Sequence, residues 1–372
     1  MEFRDLKQQY QLHKVQIDAA IQSVLDNVEF INGSQVERLE EKLAEYVGVK
    51  HCITCANGTD ALQLALMAWN IGKGDAVFVP DFTFFSSGEV VPLVGATPVF
   101  VDIDKNTYNI SPQSLENVIQ YVIEKTDLTP KVIVAVDLFG QPADYVQIRQ
   151  IADKYGVLIL EDGAQGFGGK IGGKKACSFG DISTTSFFPA KPLGCYGDGG
   201  AVFTNNDEWA GLLRSYKVHG KGADKYDNVR IGMNSRLDTL QAAVLLEKLK
   251  FFDDEIEKCN WVAAEYTKFL AEILKVPVIK ADFYSSWAQY TVCFRNDMER
   301  GHAINILKEM GIPTAVYYRK PMHMQGAFNG YVFEELDYSV TEKICGSCLS
   351  LPMHPYLSVD DLKKVIDIFR KI

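Results

Sequence analysis

Apolar residues recur three and four positions apart over two early stretches, about 14–27 and 35–47, the spacing of amphipathic helices. The second follows the helix-start signature Asn32-Gly-Ser34 and lines up Val36, Leu39, Leu43 and Tyr46 on one face. Beyond residue 50 the pattern changes. Short apolar runs at 51–55, 76–79, 97–101, 132–136 and 157–160 show no polar alternation, and helical periodicity near 59–69, 84–93, 111–124 and 145–155 fills the intervals. Unalternating strands separated by helices predict an α/β fold whose mainly parallel sheet is covered on both faces.

Further runs at 183–188 and 200–204 and a helical stretch near 207–217 extend this unit, and one long helical pattern covers about 237–257. The last third reads as α+β, with strands near 289–294 and 314–318 and helices near 299–310 and 358–370. At 372 residues the chain exceeds the ~250–300 at which single cores stop growing. We therefore expect a large domain over 1–255, a small C-terminal domain over 256–372, and packing of the first helix against the latter.

Composition narrows the classes. Hydrophobic residues form 47% and charged residues 23%, the balance of an ordinary globular protein. The net charge of −10 and the lack of a lysine or arginine run argue against nucleic acid as partner. No apolar stretch approaches the ~20 residues of a membrane span, and MEFRDLKQQYQ lacks a signal core, so a cytoplasmic location is expected. The pairs Cys52/Cys55 and Cys345/Cys348 have zinc-ligand spacing, but both sit in apolar strand-like runs far apart in the chain, and no metal is expected.

Parallel sheets bind ligands at the carboxyl ends of their strands, and four segments fall there. Asn57-Gly58-Thr59-Asp60 opens a helix directly after a strand, where exposed amides suit a phosphate; a plain helix cap is the ordinary alternative. Glu161-Asp162-Gly-Ala-Gln165 closes the strand at 157–160; a carboxylate there can keep a pyridine nitrogen protonated. Ser186-Phe-Phe-Pro-Ala-Lys191-Pro-Leu-Gly194 places a lysine in an apolar, glycine-rich segment, and burial would free its amine for imine chemistry. Aromatics in Phe82-Thr-Phe84-Phe85 are core residues or a surface on which a cofactor ring lies. Gly168-Gly-Lys-Ile-Gly-Gly173-Lys174-Lys175 nearly fits a P-loop but lacks its Ser/Thr, so a glycine hairpin is the better reading; no GxGxxG follows the early strands.

Gly58-Thr59-Asp60, Asp162-x-x-Gln165 and Ser186-x-x-x-x-Lys191, with Gly197-Asp-Gly-Gly200 behind, resemble the pyridoxal 5'-phosphate (PLP)-dependent nucleotide-sugar aminotransferases of fold type I. The likeness runs from Phe3-x-Asp5-Leu6 to Leu351-Pro-Met-His354-Pro355. It implies Lys191 as the Schiff-base lysine and proton carrier and Asp162 as the pyridine-nitrogen partner, with Gln165 beside it. Gly58, Thr59, Asp60 and Ser186 take the phosphate positions, and Phe84 the stacking position. Asn234, in Gly232-Met-Asn-Ser-Arg236-Leu-Asp-Thr-Leu-Gln241, is implied to reach the cofactor phosphate of a partner subunit, with Arg236 receiving a substrate carboxylate. Tyr317, Tyr318 and His323 border the sugar pocket in that family.

The same resemblance implies L-glutamate/2-oxoglutarate and a nucleotide-linked keto-sugar as reactants, a homodimer with shared sites, and a role in surface polysaccharide such as O-antigen. Dehydratases of the family replace the lysine by histidine; Lys191 favours transamination. Asn234-Ser-Arg-Leu-Asp-Thr-Leu-Gln241 and Pro192-Leu-Gly-Cys-Tyr-Gly197 are most similar to members that aminate C3 of UDP-linked 2-acetamido-3-oxo sugars, although Tyr317 stands where those have histidine. The alternatives are amination of a dTDP- or UDP-linked 4-keto sugar, a PLP dehydratase, or a non-catalytic nucleotide-sugar-binding regulator of the same fold.

Overall fold

The computed structural model describes residues 1–224 and 226–370. Two helices lead, α1 (Leu6–Asn27) and α2 (Ser34–Val47). Strands and helices then alternate as β1 (His51–Cys55), α3 (Gly58–Ala68), β2 (Asp75–Pro80), α4 (Ser86–Leu93), β3 (Thr97–Val101), α5 (Pro112–Lys125), β4 (Thr129–Val136), α6 (Tyr145–Tyr155) and β5 (Leu158–Asp162). A hairpin of β6 (Lys170–Ile171) and β7 (Lys174–Lys175) turns through Gly172 and Gly173, both at positive φ, so the P-loop-like run is the glycine turn expected. β8 (Ile182–Ser186) and β9 (Gly200–Thr204) complete a seven-stranded sheet of order β1-β9-β8-β5-β4-β2-β3.

Neighbours from β8 through β3 run parallel; β9 pairs antiparallel with both β8 and β1. Isoleucines, valines and small residues on β2, β4 and β5 are fully buried, divided between a core that includes α3 and α4 and one that includes α5 and α6. Two-sided burial of this kind explains why those strands read as continuous apolar runs.

The expected 237–257 helix is two helices, α7 (Asp207–Tyr216) being followed by α8 (Thr239–Leu249) and α9 (Phe252–Leu270). Phe251 leaves the helical region between α8 and α9, and Phe252 goes into the core shared by α2 and α8. Further on come β10 (Phe283–Tyr284), which pairs with β6, β11 (Tyr290–Cys293), α10 (Asp297–Glu309), α11 (Ser339–Ser347), β12 (Cys348–Leu351) and α12 (Val359–Phe369). A separate core draws its buried residues from 259–369. The strand expected near 314–318 is absent: the segment makes an isolated bridge from Ala315 to Ser350, and β11 takes β12 as its partner. α1 begins eight residues before the periodicity suggests, at an Asp5 cap, and packs along α8. Among the described residues, no helix is long and apolar enough to cross a membrane.

Candidate active site

Strand pairing brings all four marked segments to one edge, the aromatic one following β2, which runs parallel beside β4. β5 ends at Asp162, level with Val136 of β4 and Thr184 of β8. β8 ends at Ser186, which pairs with Gly200, and Gly200 pairs with Cys55 at the end of β1. The carboxyl ends of β1, β4, β5 and β8 therefore lie side by side, where parallel sheets hold ligands.

α3 starts straight after β1, capped by Asn57, whose side chain accepts from the Asp60 amide at 2.8 Å. A Cβ on Gly58 would lie 2.7 Å from Ser186 Cβ, so a side chain there would separate α3 from β8. Glycine thus seats a helix start, with its unpaired amides and positive end, against the Ser186 hydroxyl. Ser186 Oγ accepts from the Phe188 amide at 3.3 Å, and Thr59 Oγ1 meets Ser86 Oγ at 2.7 Å. Such a cradle fits a phosphate monoester.

Asp162 is buried. Burial raises its carboxyl above the usual range; Ser87 Oγ, donating at 2.8 Å, Lys191 and the Ala164 amide work against that rise. Gln165, three residues on, is spanned at both ends: Oε1 accepts from the Phe139 amide at 2.7 Å and Nε2 donates to Tyr318 Oη at 3.0 Å. Burial pushes the Tyr318 phenol up, so the tyrosine stays neutral. Its ring meets Phe82 edge-on at 5.8 Å and lies 6.3 Å from Phe84. Phe82 is core, whereas Phe84 is about half exposed.

Lys191 sits in a tight turn in which its amide donates to Phe188 O and the Cys195 amide donates to Phe187 O, both at 2.8 Å. Burial pulls its amine below the usual lysine value; Asp162 opposes that pull and Arg4 adds to it. A desolvated amine and a buried carboxylate that feel each other's charge have the makings of an imine-forming site.

Asn234, implied for a partner's cofactor phosphate, and the residues implied for the substrate are less confined. Asn234 is exposed and Arg236 half-buried; between them, buried Ser235 accepts from the Ala56 amide at 3.1 Å, fixing the segment to the end of β1. Tyr317 is half-buried, 6.3 Å from the Phe3 ring. His323 is held in a clamp, with Nδ1 2.7 Å from Asp81 Oδ2 just after β2, Nε2 3.4 Å from Glu342, and the ring stacked on Tyr338. Burial works against its charge, but Asp81 and Glu342 hold its pKa above the usual value.

Sequence reasoning missed Ser87, Arg4 and Asp81. Ser87 lay within the aromatic segment already marked, but only the turn of α4 toward β5 shows its partner. All eight cysteines are buried free thiols; Cys55 Sγ donates to Asn57 O and Cys348 Sγ to Tyr317 O. Among the described residues, no group of His, Cys, Asp and Glu could hold a metal.

The sheet order, the helix start against Ser186, the buried Asp162 and the half-buried Lys191 define the architecture of a fold type I transferase. The chain belongs to the DegT/DnrJ/EryC1/StrS aminotransferase family, which it matches over residues 11–370. It is 47% identical over 366 residues to the UDP-2-acetamido-2-deoxy-3-oxo-D-glucuronate aminotransferase of Pseudomonas aeruginosa, covering 98% of each chain. Among solved structures it is similar to a DegT DnrJ EryC1 StrS aminotransferase from Brucella abortus, with 49% identity, TM-score 0.97, and coverage of 100% of this chain and 99% of that one. It also resembles NtdA from Bacillus subtilis with bound cofactor PMP, with 30% identity, TM-score 0.88, and coverage of 96% and 81%.

Proposed function

We propose that this chain is a PLP-dependent aminotransferase that moves nitrogen from L-glutamate to C3 of a UDP-linked 2-acetamido-2-deoxy-3-oxo hexose or hexuronate. One observation carries the chemistry: a half-buried Lys191, its amine drawn below the usual lysine value by desolvation, and a buried Asp162 flank the same sheet edge as the Gly58–Ser186 cradle. The printed name of the Pseudomonas relative supports the sugar.

The residues fit PLP, which when bound supplies a carbonyl that captures amines and a ring that takes up an electron pair. Amides at the start of α3, with Thr59, Asp60 and Ser186, would hold its phosphate. Asp162 would keep a proton on the ring nitrogen, and Ser87 orients that carboxylate. Gln165 would meet the ring's phenolic oxygen and Phe84 its face. Lys191 Nζ, whose basicity desolvation lowers, would take up the α-proton of glutamate and give a proton back during transfer. Asn234 would complete the phosphate site of a partner subunit, and Arg236, Tyr317, Tyr318 and His323 would border the sugar, in a cytoplasmic homodimer serving surface polysaccharide such as O-antigen. The reading includes a division at 255/256, supported by the separate core at 259–369.

The test offers purified protein a set of 3-amino and 4-amino sugars linked to UDP and to dTDP, each with 2-oxoglutarate. Glutamate should form only with the UDP-linked 3-amino sugar. Exchange with a 4-amino sugar instead would replace the assignment, and no exchange with any would end it in favour of a binding protein.

A further inference from the structure

The turn that carries Lys191 rests on two cations outside the proposed cofactor site. Arg4 Nη2 donates to the carbonyl oxygen of Lys191 itself at 2.8 Å, and Lys248 Nζ donates to Gly194 O, also at 2.8 Å. Between those carbonyls the chain is too compact for any side chain at 194, where a Cβ would meet Pro189 O at 2.4 Å. The two donors come from opposite ends of the chain's large unit. Arg4 precedes α1, in a segment fastened by the Met353 amide to Phe3 O at 3.1 Å and by His354 Nε2 to Glu2 O at 3.2 Å. Lys248 is on α8, almost wholly buried, with its ammonium 4.3 Å from the Tyr196 ring.

A buried ammonium such as that of Lys248, with the half-buried guanidinium of Arg4 beside it, needs compensation. Here it is Glu255, a buried carboxylate on α9 that accepts from both Gln9 Nε2, at 2.9 and 3.1 Å to its two oxygens, and Tyr356 Oη. Burial pulls both Arg4 and Lys248 below their usual values, and the charge of Glu255 opposes that pull. None of these side chains belongs to the machinery assigned above, yet two of them, Arg4 and Lys248, bond to the same turn.

We propose that Arg4 and Lys248, countered by Glu255, are positioning residues that clamp the Lys191 turn through its carbonyl oxygens and set the charge around its amine. This rests on the function proposed above. The arrangement does two jobs. Fixing Lys191 O and Gly194 O fixes the direction in which the lysine stem leaves the turn. A permanent guanidinium charge on the lysine's own carbonyl also disfavours a second charge on its amine, and Arg4 contributes to the lowered basicity of Lys191. Lys248 is itself drawn down to about 8 by burial, with Glu255 and Cys195 opposing and Arg4 assisting, so Arg4 is the steadier of the two charges near neutral pH.

The test titrates the visible absorbance of the bound cofactor in the holoenzyme, whose midpoint reports the proton on the Lys191 nitrogen. Wild type is compared with Arg4→Met, Arg4→Lys and Lys248→Met. Removal of the guanidinium charge should raise the midpoint by about one pH unit, and Arg4→Lys should recover more than half of that shift. Lys248→Met should lower kcat about tenfold with little change in the KM for glutamate, the signature of a misdirected lysine rather than a damaged binding site. Midpoints unmoved in both Arg4 variants, with only the melting temperature reduced, would overturn the proposal; if Arg4→Met does not fold, the Arg4→Lys midpoint and the kcat–KM split of Lys248→Met decide it. Wild-type protein that neither absorbs in the visible nor responds to glutamate would instead sink the underlying function, before any variant is compared.

Discussion

The inner and outer halves of the site differ in how far the chain itself completes them. On the inner side, Asp162, Gln165 and Lys191 are locked by bonds from elements distant in sequence: Ser87 from α4, the Phe139 amide after β4, and Arg4 ahead of α1. On the outer side, Phe84 and Asn234 face solvent and Arg236 is half-buried. The side chains proposed to handle protons are held by bonds from distant elements, while Phe84 and Asn234, proposed for the cofactor's face and a partner's phosphate, and Arg236, proposed for the substrate, are left open on this chain. The contrast suits a family in which the reaction is constant and the sugar changes.

Variants on the two sides should therefore fail differently. The largest effect is expected on the inner side, where Lys191→Ala should cost at least about a thousandfold in turnover and remove the visible absorbance of the bound cofactor; an active, still-yellow variant would break the comparison at its centre. Asp162→Asn should lower kcat about a hundredfold while leaving the KM for the sugar nearly unchanged, as steady-state kinetics would show. Gly58→Ala forces α3 away from Ser186 and should weaken cofactor retention about tenfold, by a cost on the order of 1–3 kcal/mol readable in equilibrium dialysis. On the outer side, Arg236→Ala should raise a substrate KM about tenfold and leave the cofactor spectrum intact.

The smallest effect sharpens the border between the halves. His323 has a folded pKa above its unfolded value, so the stability its clamp contributes is full below about 6.5 and fades as pH rises through the elevated folded value. The difference in melting temperature between wild type and His323→Gln should thus be largest near pH 6 and shrink at alkaline pH. A difference that grows with pH would remove the clamp from the account.

How much of this was legible in the sequence follows the same division. The strands at β2, β4 and β5 stood out because burial on both faces makes a run apolar throughout, and Asp162, Ser186 and Lys191 stood out because polar residues interrupt such runs. Elements with mixed surroundings were obscured. The break at Phe251 is invisible to periodicity, since Phe252 continues the apolar pattern while the helix axis turns. The segment at 314–318 is strand-like in composition, but β11 spends its pairing edge on Cys348–Leu351. Residues such as Ser87 and Arg4 carry no local mark at all, because their partners lie 75 and 187 positions away.

The fastening of Glu2 and Phe3 to residues 353–354 has a practical side. Removal of residues 2–4 would take away both fastenings and the bond from Arg4 to the carbonyl of Lys191. On the proposal above, protein shortened in this way keeps every side chain of the site and still loses the orientation of its lysine.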